Sequence, residues 1–233
     1  APAQNTDGTI TSTVKANQDA GFSIVEASLP TNGATNGDTF GHGLDTQPEL
    51  IIQKATSISL NWYIFSEYGG SLLGNNNVLK FTTAAATSDS LFDITPTTFK
   101  VGSTNTAHDF IAYCFHSVDG IQKVGKYTGT GATGNLVETS FEPAFVMIKE
   151  TGNAGSWHIY DNERPDSGGS NRAYLLADTS NYENEFGAFP VSFKSNGFSV
   201  DNTGNGTNRN EGNYIYLAIA ADPDTTTPVV ENS

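Results

Sequence analysis

Pro48-Glu49-Leu50-Ile51-Ile52-Gln53-Lys54, followed by Asn61-Trp62-Tyr63-Ile64-Phe65, returns as Pro143-Ala144-Phe145-Val146-Met147-Ile148-Lys149 followed by Ser156-Trp157-His158-Ile159-Tyr160 at a constant offset of 95 residues. Each copy opens with a short apolar run behind a proline. It then passes a Ser/Gly-rich turn into a segment where Trp and Ile alternate with Tyr, Phe or His at period two, the spacing of a strand. Both tryptophans are expected to anchor the core. Further along, Thr98-Phe99-Lys100-Val101 matches Gly197-Phe198-Ser199-Val200 at offset 99, and Asp109 to Tyr113 matches Asn213 to Leu217 at offset 104. An offset that grows only across loops is the behaviour of one structural unit present twice, with insertions at surface connections where they cost little.

Outward from these copies, Phe22–Ala27, Lys80–Thr83, Thr98–Val101, Asp109–Ser117, Lys123–Thr128, Val191–Lys194, Phe198–Asp201 and Tyr214–Ala220 read as further short strands at sandwich spacing. Asp119-Gly120 between apolar runs is a tight-turn signal, so one copy leads into the next without a linker. The fold expected is all-β, an antiparallel sandwich of jelly-roll or concanavalin-like type built from two repeated halves. The alternative is two tandem small sandwiches. Residues 1–20 read as an extended N-terminal connector, 21–120 and 121–222 as the two repeats, and 223–233 as a C-terminal tail.

Composition agrees and narrows the function. In 233 residues, Asn, Thr and Ser number 70 while charged residues make up only 15%. Such side chains favour turns and strand surfaces over helix interiors. A net charge of −14 argues against binding to a phosphate backbone. The longest apolar run, Phe110 to Phe115, is too short for a membrane-spanning helix, so neither nucleic acid nor membrane is expected as a partner. The single cysteine, Cys114, lies inside that run and reads as a buried core side chain. The chain begins at Ala1 without Met, which points to processing or excision from a longer protein.

Few residues carry a chemical signature. Gly129-Thr130-Gly131-Ala132-Thr133-Gly134 spells the dinucleotide fingerprint, but no helical pattern follows to offer its N-terminus to a pyrophosphate, and it reads as a glycine-rich hairpin loop. Asp201, Thr203 and Asn205 imitate the first half of a calcium loop, whose closing glutamate position is held by Gly212. They are a weak Ca²⁺ candidate, and no other metal or cofactor is expected. Paired acids such as Asp161/Glu163 or Glu183/Glu185 read as solvated loop residues rather than glycosidase carboxylates. No catalytic residue is expected. Tyr68, Asn76, Asp161, Arg164, Tyr182 and Asn184 supply the aromatic faces and amide or charged groups that stack on and hydrogen-bond to a sugar, and are the glycan-binding candidates.

Asn5 to Asn17, Ala20 to Val25, Gly41-His42-Gly43-Leu44 and Pro48 to Lys54, with Gly125-Lys126-Tyr127-Thr128-Gly129-Thr130-Gly131 and Phe141 to Lys149, resemble a duplicated β-sandwich domain of tailed-phage virion proteins, often marine. The resemblance covers roughly residues 5 to 223 and departs from the pattern at Glu26-Ala27-Ser28-Leu29-Pro30. It implies a non-enzymatic virion surface protein, structural or receptor-binding, in a tail fibre or capsid decoration. Partners would be other virion subunits and a host surface glycan, with homo-oligomers expected and trimers if the chain belongs to a fibre. The alternative is a lectin-like carbohydrate-binding module for surface or algal glycans.

Overall fold

A computed structural model describes residues 1–33, 37–68, 77–88, 93–101, 106–164, 173–183, 190–204 and 206–221. In chain order the first half holds β1 (Ala3–Asn5), β2 (Ser12–Asn17), β3 (Phe22–Leu29), β4 (Phe40–Gly41), β5 (Leu50–Ala55), β6 (Tyr63–Ser66), β7 (Asn77–Lys80), β8 (Thr87–Ser88), β9 (Thr98–Phe99) and β10 (His108–Phe115). The second holds β11 (Gln122–Thr128), β12 (Asn135–Glu138), β13 (Pro143–Glu150), β14 (His158–Asp161), β15 (Leu175–Leu176), β16 (Val191–Lys194), β17 (Gly197–Val200) and β18 (Asn213–Ala220).

The chain is an all-β antiparallel sandwich. An eight-stranded sheet runs β1-β2-β3-β10-β5-β6-β7-β8 and a five-stranded sheet β11-β18-β13-β14-β15, while β12-β17-β16 and β4-β9 make two small sheets. Alternation along each strand shows how they stack. On β5, Ile51 enters a core with Phe40 of β4 and Phe99 of β9, while Leu50 and Ile52 enter another with Met147 of β13 and Leu217 of β18. On β18, Tyr214 and Tyr216 face Phe198 and Val200 of β17. Each half is therefore a small sandwich, and the two large sheets pack face to face, giving four layers and three cores. Strands buried on both faces have no polar side to alternate with, which is why they read as unbroken apolar runs. The middle core contains nine buried side chains. Each contributes about 1.5–3 kcal/mol on burial, so the halves are locked rather than hinged.

The ladders of the two halves have the same register. Pairs Ile51↔Phe65 and Ile52↔Ile64 correspond to Val146↔Tyr160 and Met147↔Ile159. Cys114↔Ile51 corresponds to Ala218↔Val146, and Tyr113↔Ile24 to Leu217↔Val124. A side-chain bond recurs as well. Lys54 Nζ donates to Leu60 O, and Lys149 Nζ to Gly155 O, both six residues on and 95 apart.

Four local expectations change. Residues 1–20 are not a connector, since β1 and β2 extend the eight-stranded sheet and Val14 is buried against the first core. Of Ser12–Asn17 only Ser12 and Val14 are buried, and the exposed others hid the pattern. Trp157 is an anchor at 1% exposed, but Trp62 is 36% exposed at the rim of the middle core. Its ring rests on Phe81, which in turn packs on Trp157. The strand expected at Lys80–Thr83 lies three residues earlier, at Asn77–Lys80. The glycine-rich stretch 129–134 is not a hairpin loop, since it crosses from β11 to β12 in a different sheet. It is held by buried Asn208, whose Oδ1 accepts from Thr130 N (2.9 Å) and whose Nδ2 donates to Ala132 O (2.7 Å). Residues 222–233 lie outside the described residues.

Candidate functional site

Asp161 ends β14, beyond which the chain turns sharply at the edge of the five-stranded sheet. Its Oδ1 accepts the N–H groups of Glu163 (3.2 Å) and Arg164 (3.0 Å), a short-range turn bond typical of Asp. That turn aims the Arg164 side chain back, so Nε donates to Asp161 Oδ2 (2.7 Å) while a terminal nitrogen donates to Glu183 Oε2 (2.9 Å). Arg164 thus ties together two loops 19 residues apart. Next to Glu183 stands Tyr182, 93% exposed, the most exposed of the large aromatic or aliphatic side chains among the described residues. The patch combines a naked aromatic face with a guanidinium fixed between two carboxylates. Such a surface stacks on the C–H face of a pyranose and offers both acceptors and donors to its hydroxyls. Being surface pairs, these ion pairs position groups more than they stabilise the fold.

Of the sequence-derived glycan candidates, Asp161 and Arg164 are brought together here, with Tyr182 the chain neighbour of the Glu183 that Arg164 holds. Asn76 and Asn184 lie outside the described residues. Tyr68 is elsewhere, in the seam between the halves. Its hydroxyl donates to Glu49 Oε1, and Glu49 Oε2 accepts from Ser117 N (2.6 Å) and from the Ser117 hydroxyl. Burial, then the bond to Glu49 and its charge, push the Tyr68 pKa well above the usual phenol range. The candidate therefore serves the seam.

Of the paired acids, Asp161 is the last residue of β14 rather than a loop residue, while Glu163 and Glu183 stand in loops. Asp161 is engaged by Arg164, and Glu185 lies outside the described residues. Asp201 is committed to the β16–β17 hairpin, accepting from Ser192 Oγ (2.6 Å) and Ser199 Oγ (2.5 Å). Thr203 follows in irregular backbone, and Asn205 is outside the described residues. Among the described residues no group of three His, Cys, Asp or Glu converges to hold a metal ion. Cys114 is fully buried, and burial raises its pKa to about 12, leaving the thiol protonated and inert at neutral pH.

A second concavity was missed by sequence reasoning. On the face of the eight-stranded sheet that meets the second half, beyond the part the second half covers, Thr13 of β2, Glu26 and Ser28 of β3, and Asp109 and Ile111 of β10 line an open groove of about 670 Å³. Asp109 Oδ1 accepts from Ser28 Oγ (2.5 Å), and its N–H donates to Ser57 Oγ (2.8 Å). Asp109 sits opposite Ser28 and Glu26 opposite Ile111, so the two acids are diagonal neighbours on one face. The signal lay in period-two polar positions on three strands. It was lost because β2 had been assigned to a connector.

A family model described as a domain of unknown function (DUF7483) matches residues 1–223. No curated protein and no solved structure matches the chain.

Proposed function

We propose that this chain, which belongs to the DUF7483 family, is a non-enzymatic structural and receptor-binding module of a virion surface, either in a tail fibre or as a capsid decoration. The observation that carries the reading is the fusion of two small sandwiches through a third apolar core. Such a body has no hinge between its halves and holds its exposed loops at fixed spacing, as a display module requires. The sequence resemblance to phage virion domains supplies the setting. Mass spectrometry of purified particles tests it, together with light scattering of the isolated chain. The chain should be found in particles and should self-associate. A monomer absent from virions overturns the proposal.

A carbohydrate-binding role is the second reading, favoured by Tyr182 beside the Arg164 clamp. A glycan array should show binding that Tyr182→Ala and Arg164→Ala both weaken, while a chelator has no effect. Signals that survive both substitutions would remove this patch from the account.

A further inference from the structure

In the first half, the N-terminal segment closes one flank of the sandwich. Ile10 bridges Phe40 in parallel and donates its N–H to Thr39 O (3.1 Å), and Ser12 Oγ donates to Gly41 O (2.9 Å). From Ser12 onward the same segment pairs with β3, placing Thr13 opposite Glu26. One extended stretch thus bonds the edges of both the small and the large sheet.

The second half has the same two edges. Val137↔Phe198 corresponds to Phe40↔Phe99, so β12 takes the place of β4, and β11 takes the place of β3. Both end their sheets, with no strand beyond them among the described residues. Between them lies a cleft of about 450 Å³, lined by Gly125, Lys126, Leu136, Glu138, Tyr68 and Tyr216. The core behind the cleft is closed by other means. Tyr127 and Tyr216 stand where Ala27 and Ala112 stand in the first half, and their rings supply volume that Ile10 and Val14 bring there. Gly125 opposite Tyr216 replaces Val25 opposite Ala112, which gives the larger ring room. The second half is therefore complete without an added strand, yet keeps the edges that took one in the first. At one end Val118 and Ser117 already bond to Gln122 and Val124, and at the other Asn135 Nδ2 donates to Thr128 O (3.0 Å), so the open stretch is Lys126–Tyr127 facing Leu136–Glu138.

We propose that this cleft binds an extended segment of another polypeptide, in the register that residues 10–14 take in the first half, with an acidic residue in the place of Thr13. Strand addition at a sheet edge draws its affinity from main-chain hydrogen bonds and its specificity from alternate side chains. Residues 10–14 are the internal template for the first. Charge selects the second. Lys126 is exposed where the first half has Glu26, directly opposite the position of Thr13, in a chain whose net charge is −14, while Lys123 lies on the other face of β11 and Glu138 stands on the far wall of the cleft. An acidic strand meets its complement there. This inference is independent of the Tyr182 patch and goes beyond the display role.

The test is a titration of the ¹⁵N-labelled chain with a synthetic peptide carrying the sequence of residues 8–16 with T13E, and with I10A and V14A because Tyr127 and Tyr216 already fill the volume that those two side chains take in the first half. Saturable amide shifts confined to residues 126–127 and 136–138 are expected. Lys126→Glu, an exposed change that leaves the core untouched, should weaken binding about fivefold or more. The same peptide with Ile10→Pro in place of I10A, lacking the N–H that would meet Leu136 O, should also bind more weakly. Three results would overturn the proposal: no shifts at about 2 mM peptide, shifts indifferent to Lys126→Glu, or the same amides responding to an acidic oligosaccharide and not to the peptide. The first would mean that Lys126 merely blunts the edge against pairing.

Discussion

Replacing Trp157 tests the claim that the middle core makes one cooperative body of the two halves. The side chain is 1% exposed and packs on Phe81 at 5.1 Å between centroids, 74° apart in plane, and its indole N–H donates to Lys80 O at 2.8 Å. Both contacts cross from the second half to the first. Trp157→Ala removes the ring, for about 3–5 kcal/mol, together with the indole bond to Lys80 O, a carbonyl that keeps the Thr82 N–H (2.7 Å). Trp157→Phe keeps a ring against Phe81 and loses the bond and part of the buried area, for about 2 kcal/mol. Trp62→Ala, at a rim position 36% exposed, should cost less than either. Urea unfolding followed by far-ultraviolet circular dichroism should show one transition for the parent chain. With a urea slope of about 2–3 kcal/mol/M, the midpoint should fall by roughly 2 M for Trp157→Ala. Two separate transitions in the parent chain, or equal costs for Trp62→Ala and Trp157→Ala, would refute the reasoning.

Burial lowers the His158 pKa from 6.5 to about 4. The unfolded chain then binds more protons between those values, so stability is full above pH 6.5 and falls by roughly 3 kcal/mol as the pH drops towards 4. The difference between urea midpoints at pH 7 and pH 4.5 should be smaller in His158→Gln than in the parent, with His42, whose pKa burial also lowers, keeping part of the dependence. Gly125→Val drives a side chain into the Tyr216 ring, where a Cβ would already lie 2.6 Å from Cζ, and should cost about 1–3 kcal/mol or more. Adding Tyr216→Ala recreates the Val25/Ala112 pair, and a double-mutant cycle should return a favourable coupling. Additive losses would contradict the packing argument. Asn208→Ala removes four hydrogen bonds and takes from Thr130 N and Asn202 O their Asn208 partner, while Asn135 Nδ2 keeps Thr128 O and Ala132 O keeps the Thr130 hydroxyl, for about 2–4 kcal/mol by calorimetry, against under about 1 kcal/mol for the surface change Arg164→Ala.

The sequence by itself determined the strands of the doubled ladder, because period-two runs and a constant 95-residue offset are local properties of the chain. Val191–Lys194 was legible to the residue, and Leu50–Ala55 and Gln122–Thr128 to within one. It also identified Asp161, Arg164 and Tyr182 as surface groups, since a polar turn after a strand declares itself. Only the tertiary structure decided which side of each strand met which layer. Trp62 and Trp157 occupy equivalent positions in equivalent motifs, yet one is sealed between the sheets and the other sits at their rim. That difference depends on where Phe81 and the loop around it arrive. The role of residues 1–20, the diversion of Tyr68 to Glu49, and the meeting of Arg164 with Glu183 are likewise long-range. A sequence records the spacing of groups along the chain. Burial and pairing across 19 to 80 residues depend on how the sheets stack, and that is settled by the packing of all three cores together.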